Sequence, residues 1–269
     1  MRRAQLHAAA VEPMSARISW ISITPVKATA LHHVEEIHLD ESGPRGDRRF
    51  FFVSERGRLL NNKDCGPLQL VHADYDPESD TLGMRFPDGL ELVAPVERGE
   101  EVVTNFHRLP IVARHVLGPW SEAVSALAGE PVRLVEPALP APDRGRGGAA
   151  TLLGTGSLAA LAEQLGVGAV DGRRFRMNFG IEALDAHAED EWHGRRVRMG
   201  EAVVIPQGNV GRCVVTTQNP DTGRTDLDTL KALAAYRGAV ETTEALPFGV
   251  HAAVAVPGRV RVGDVVEPL

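Results

Sequence analysis

The sequence predicts a β-rich, mixed α/β protein, and three observations carry that expectation. Short apolar or alternating runs recur along the chain, punctuated by proline, glycine, aspartate and asparagine. Two stretches follow a helical period, and both lie in the second half. A length of 269 residues allows one large or two ordinary domains whose core needs no covalent staples.

Residues 17–24 alternate polar and apolar side chains, as a half-buried strand does, and residues 50–53 form a short continuous apolar strand. Further strands are expected over 68–73, 81–86 and 90–94, with turns at 74–80 and at Pro87-Asp88-Gly89. Residues 139–150 are rich in proline and glycine and carry two arginines, a composition suited to a loop or linker. A helix follows over 157–165, with Ser157 as its N-cap, one apolar face of Leu158, Leu161, Ala162 and Leu165, and Gly166 as its stop. The apolar run 202–205 leads to Cys213, and Asn219-Pro220-Asp221-Thr222-Gly223 forms a turn beyond it. Residues 226–237 repeat the helical logic through Leu227, Leu230, Leu233 and Ala234. Residues 250–256 and 259–265 flank Pro257-Gly258 and predict a closing β-hairpin or ladder.

Composition narrows the function. A formal charge of -7 argues against general nucleic-acid binding while leaving room for local basic pockets that hold a phosphate. The opening Met1-Arg2-Arg3 lacks the apolar region of an export signal, and no window has the roughly 18 apolar residues of a spanning helix, so no membrane partner is expected. Two cysteines, Cys65 and Cys213, are too few for a disulfide framework and point to a reducing, cytoplasmic setting.

Cys213 is the residue most open to chemistry. It stands where a strand gives way to a loop and adjoins Arg212, whose charge would favour the thiolate and so a metal ligand or nucleophile. Alternatively it is a small buried hydrophobe in a valine-rich strand. Glu189-Asp190-Glu191 and Trp192, near His187 and His193, suggest a surface loop with one packed tryptophan, because the histidine spacing completes no zinc set.

Four segments in order resemble the MOSC domain family, the module of molybdenum-cofactor sulfurases and of the amidoxime-reducing group. They are Arg174-Phe175-Arg176-Met177-Asn178, Ala188-Glu189-Asp190-Glu191-Trp192, Gly211-Arg212-Cys213-Val214-Val215-Thr216-Thr217 with the 219–223 turn, and Gly258-Arg259-Val260-Arg261-Val262-Gly263-Asp264. Pro25-Val26-Lys27 and Gly46-Asp47-Arg48-Arg49-Phe50 resemble the N-terminal β-barrel that accompanies the module in that group. The resemblance implies a smaller N-terminal β-barrel-like domain over 16–130 and a MOSC β-barrel domain over 131–269. The pattern departs at Asn61-Asn62-Lys63 and at 146–150, where the group carries an arginine-glutamine pair and an aspartate with hydroxyl residues.

The same resemblance implies the pyranopterin form of molybdenum cofactor, with Cys213 as metal ligand and catalytic centre. Lys27, Arg48, Arg49, Arg176, Asn178 and Arg212 are then the cofactor-binding residues. Arg176 and Asn178 share one face if that segment is extended. The implied activity is reduction of a small N-oxygenated compound. No flavin or nicotinamide motif is present, so electrons are expected from a separate flavin or iron-sulfur reductase. A noncatalytic sulfur or cofactor carrier, or a binding module that has lost molybdenum, is the alternative.

Overall fold

The computed structural model describes residues 15–107, 109–139, 145–242 and 244–269. Among these residues the protein is β-rich with three short α-helices, α1 (Trp120–Ala128), α2 (Thr155–Leu165) and α3 (Thr229–Arg237). The largest sheet has the strand order Val266–Pro268, Val197–Met199, Ala202–Gly211, Pro247–Val256, Ala150–Gly154, Phe179–Glu182, Arg17–Ile23 and His32–Val34. A four-stranded sheet joins Phe51–Ser54, Val132–Pro137, Leu109–Leu117 and Glu97–Phe106, and two three-stranded sheets complete the β structure.

The two halves of the sequence share sheets. Arg17–Ile23 pairs antiparallel with Phe179–Glu182, and Glu36–Asp40 pairs with Gly258–Arg261. Val132–Pro137, just past residue 130, pairs with Leu109–Leu117 and Phe51–Ser54 of the first half. Strand Arg17–Ile23 carries a register shift between Ile18 and Trp20. That irregularity lets Ile18 and Ile21, three positions apart, enter the same core, whereas strict alternation would send them to opposite faces. Trp20 lies across Gly180 of the paired strand, where a Cβ would collide with the indole.

Two cores flank the interior. Phe50, Phe52, Leu68 and Trp120 anchor one beneath α1, and Phe179, Leu152, Val204 and Val250 anchor the other inside the large sheet. Each such side chain contributes about 1.5–3 kcal/mol by leaving water. α2 and α3 pack over a third cluster through Leu161, Leu233 and Phe248.

Several sequence expectations are corrected. The strand over 68–73 is replaced by a 3-10 turn, Gly66–Leu70, and a later strand, His72–Asp76, because Pro67 opens a helical turn at its N-terminus. The long hairpin Glu97–Phe106 and Leu109–Leu117 and helix α1 went unread. Glu97, Arg98, Glu100 and Glu101 hide that hairpin's pattern, and Arg98 is held by Asp80 (2.5 Å) and Glu136 (2.6 Å). The strands on either side of Pro257 do not form a hairpin. Pro247–Val256 stays in the large sheet while Gly258–Arg261 crosses to Glu36–Asp40. Of the 139–150 segment, residues 140–144 lie outside the described residues, and Ala150 already belongs to a strand.

Helix α2 begins at Thr155, two residues before the expected cap, and Ser157 is buried inside it. Its hydroxyl donates to Glu189 Oε1 (2.7 Å) and accepts from the His187 amide (2.9 Å). Helix α3 starts only at Thr229, since Asp226 is taken by Arg174 and Asn219.

The acidic segment 189–191 is likewise not a surface loop. Glu189 is fully buried, and Asp190 pairs with Arg237. Burial pushes the Glu189 carboxyl above the ordinary glutamate value of 4.5, opposed by hydrogen bonds from Ser157 and the Gly154 amide (3.1 Å). The folded state therefore holds this proton more tightly than the unfolded chain. This group's contribution to stability is full below pH 4.5 and is lost as pH rises through the raised folded value. Glu189→Gln should remove that component. Denaturant unfolding of both proteins from pH 4 to 8 should give a stability difference that changes in favour of the variant with rising pH, and a pH-independent difference would refute the assignment.

Candidate active site

A cavity of about 840 Å³ opens between the sheets, and all seven residues singled out from the sequence line it: Lys27, Arg48, Arg49, Arg176, Asn178, Arg212 and Cys213. Eight lysine and arginine side chains stand there against four carboxylates, the reverse of the chain's net acidity. Such local excess focuses positive potential where a multiply charged anion would sit.

Cys213 is exposed and follows the end of strand Ala202–Gly211, so the small-buried-hydrophobe alternative does not describe it. Its backbone is extended, and its carbonyl accepts from the Thr216 amide (3.1 Å) in the one-turn 3-10 helix Val214–Thr217. Three struts hold this turn. Thr216 Oγ1 meets Thr229 Oγ1 of α3 at 2.8 Å, Arg174 Nη1 donates to Thr217 O at 3.3 Å, and Gln218 Nε2 donates to Asn62 O at 2.9 Å. Asn62, within the departing 61–63 segment, is itself buried and donates to Ala28 O (2.7 Å).

Arg212 is directed inward. Its guanidinium donates to Phe175 O (2.9 Å), Phe248 O and Met177 Sδ (3.0 Å) and stacks 5.2 Å from the Phe175 ring centroid. It ties the cysteine-bearing strand end to the 174–178 motif.

That motif is not extended, so the condition for Arg176 and Asn178 to share a strand face is not met. Arg176 closes the 3-10 turn Gly172–Phe175 with a left-handed backbone, φ 54°, and Arg48 has φ 49°. Arg48 Nη2 donates to Arg176 O at 2.7 Å, so two arginines in an unfavourable backbone region support each other in the cavity wall. Each such conformation costs about 1–3 kcal/mol and persists only where surroundings enforce it. Arg176 Nη2 donates to Thr29 O (2.7 Å).

Asp47 organises this wall. It accepts from the Thr24 amide (2.9 Å), from Asn178 Nδ2 (2.9 Å) and from Arg48. Asn178 also receives Thr151 Oγ1 (2.9 Å) and donates to Ser22 O, which uses both ends of its amide. Lys27 is buried beside Phe106, its Nζ 5.3 Å from the ring centroid. Arg49 is held by Glu136 (2.6 Å) and stacks against Tyr75.

Sequence reasoning missed Arg174 and Asp47, although both lie inside quoted motifs. Arg174 is buried, pairs with Asp226 (2.7 Å) and leaves its Nε without a hydrogen-bond partner. Among the described residues, no group of three or more His, Cys, Asp or Glu is placed to hold a metal ion. Both cysteines are free, and burial pushes the Cys65 thiol up.

Fold and site together define a β-rich protein whose cation-lined cavity is edged by one exposed thiol. The chain belongs to the MOSC domain family: the MOSC domain matches residues 144–267 and the MOSC N-terminal beta barrel domain matches residues 15–115. It is similar to mitochondrial amidoxime-reducing component 1. The human protein is 26% identical over 279 residues, covering 92% of this chain and 81% of that protein. The mouse protein is 35% identical over 101 residues, an alignment spanning 35% of this chain and 29% of the relative. Among solved structures, the YuaD protein of Bacillus subtilis aligns over 94% of both chains at 14% identity with a TM-score of 0.48. YiiM from Geobacillus stearothermophilus aligns over 47% of this chain and 56% of its own at 18% identity, TM-score 0.35. No helix among the described residues is long and apolar enough to cross a membrane.

Proposed function

We propose that the protein binds molybdenum cofactor in this cavity and reduces N-hydroxylated compounds with electrons from a separate flavin or iron-sulfur reductase. The observation that carries the reading is the single exposed thiol at the rim of a cavity lined by eight cations. A soft thiolate anchors a high-valent metal, and a cationic wall suits the phosphate of an anionic cofactor. The donor set fits that group.

In this reading Cys213 Sγ is the protein's molybdenum ligand. Lys27, Arg48, Arg174 and Arg176 neutralise the phosphate, and Asn178 keeps the wall in register through Asp47 and Thr151. Arg49 and Arg212 brace the wall through Glu136 and the carbonyls of Phe175 and Phe248 and add to its positive charge. Bound cofactor supplies two-electron chemistry, by which an N–O bond becomes N–H and, with two protons, water leaves. The similarity to amidoxime-reducing proteins supports the substrate class, and two free thiols support a reducing, cytoplasmic setting.

The test is molybdenum and pterin content of protein made in a cofactor-competent host, followed by benzamidoxime reduction with a chemical electron donor. Stoichiometric molybdenum with turnover is expected. Molybdenum without turnover would favour the second reading, a cofactor or sulfur carrier, to which an exposed thiol is equally suited. Absence of both would overturn the cofactor assignment.

A further inference from the structure

A second cavity, about 350 Å³, lies on the other side of Arg176 and plays no part in the proposed function. Its size falls at the small end of the range that takes organic ligands. We propose that it binds a small organic carboxylate with an apolar body.

The polar end of the cavity is cationic. Arg85 projects from strand Thr81–Arg85 and makes no ion pair or hydrogen bond through its side chain among the described residues. Its cross-strand partners are His72 and Glu91, so an imidazole able to hydrogen-bond sits directly beside it and Glu91 lies opposite without forming an ion pair. Arg176 closes the wall toward the larger cavity. The acidic lining residue Asp221 is already gripped by both terminal nitrogens of Arg173, at 2.8 and 3.0 Å. Arg85 is therefore the uncommitted charge, and its planar fork matches a carboxylate in bidentate geometry.

Half of the lining residues are apolar, and the one further polar side chain, Gln69, has its amide turned to Gln218 Oε1 (3.4 Å). Leu31, Leu70, Phe86, Pro87 and Pro220 surround the cationic end. The apolar side chains gain from covering a hydrocarbon or aromatic body. A monoanionic organic acid satisfies both ends, whereas inorganic phosphate satisfies only one.

Titration with benzoate by calorimetry tests the site. Saturable binding is expected to the wild type, weakened about tenfold or more in Arg85→Ala and retained in Cys213→Ser, with inorganic phosphate failing to displace it. Arg85 is exposed, so Arg85→Ala should keep the wild-type melting temperature. Absence of saturable binding, equal affinity in Arg85→Ala, loss in Cys213→Ser or displacement by phosphate would each overturn the proposal. None of these readouts depends on molybdenum or turnover, so the two proposals fail separately.

Discussion

Cys213→Ser is expected to lower the molybdenum content of purified protein by about tenfold or more while leaving its melting temperature within a degree or so of wild type. The two halves of the expectation have different causes. Retention falls because a serine hydroxyl stays protonated where a thiol ionises, and its harder oxygen is the poorer ligand for this site. Stability holds because the Cys213 side chain is exposed, and the struts of its turn run through the Cys213 carbonyl, Thr216, Thr217 and Gln218. Cys65→Ser is the control. That thiol is buried with Leu68 in the core under α1, so its replacement should cost stability and leave molybdenum unchanged. Elemental analysis beside thermal unfolding measures both, and equal metal in wild type and Cys213→Ser would exclude the thiolate as ligand.

Asp47→Ala should destabilise the protein by about 3–5 kcal/mol, the usual loss when one member of a buried charge pair is removed. The Asp47 and Arg48 side chains are 6% and 13% exposed, so the pair is largely shielded from water. The Thr24 amide and Asn178 Nδ2 lose their partner at the same time. The variant also separates charge from geometry. Removing a carboxylate makes the cavity more positive, so charge alone would tighten the hold on an anionic cofactor. If the wall must be held in place by Asp47, cofactor retention falls instead. Denaturant unfolding and pterin content together decide it: a loss under about 1 kcal/mol with unchanged retention would remove Asp47 from the site's architecture.

The candidate site was legible to a large degree because its residues lie in compact motifs. Lys27, Arg48, Arg176, Asn178, Arg212 and Cys213 come from distant stretches, yet each stands beside a turn-forming or strand-ending pattern visible in one dimension. Individual roles were less legible. Arg212 adjoins Cys213 in sequence, which suggested a partner for the thiol, but its guanidinium reaches back to carbonyls 36 and 37 positions away. Ser157 looks like an N-cap from its local context, and only the fold reveals the buried glutamate 32 positions on that takes its hydroxyl. Arg174 and Asp47 were passed over because nothing local distinguishes a buried ion-pair hub from a solvated charge.

Local pattern by itself determined the β-rich class, the bodies of helices α2 and α3, the stop at Gly166 and the position of Cys213 between a strand and a turn. These follow from side-chain periodicity and backbone preference, which act over a few residues. Tertiary structure alone decided that Arg17–Ile23 would join the sheet of the second half, that Pro257 would send the chain to another sheet, and that Glu189 would be buried. It also decided which carbonyls and carboxylates hold each arginine of the cavity wall. Sheet partners and charge pairs are chosen by how well distant surfaces bury apolar area and satisfy polar groups together, and no short window of sequence contains both sides of that choice.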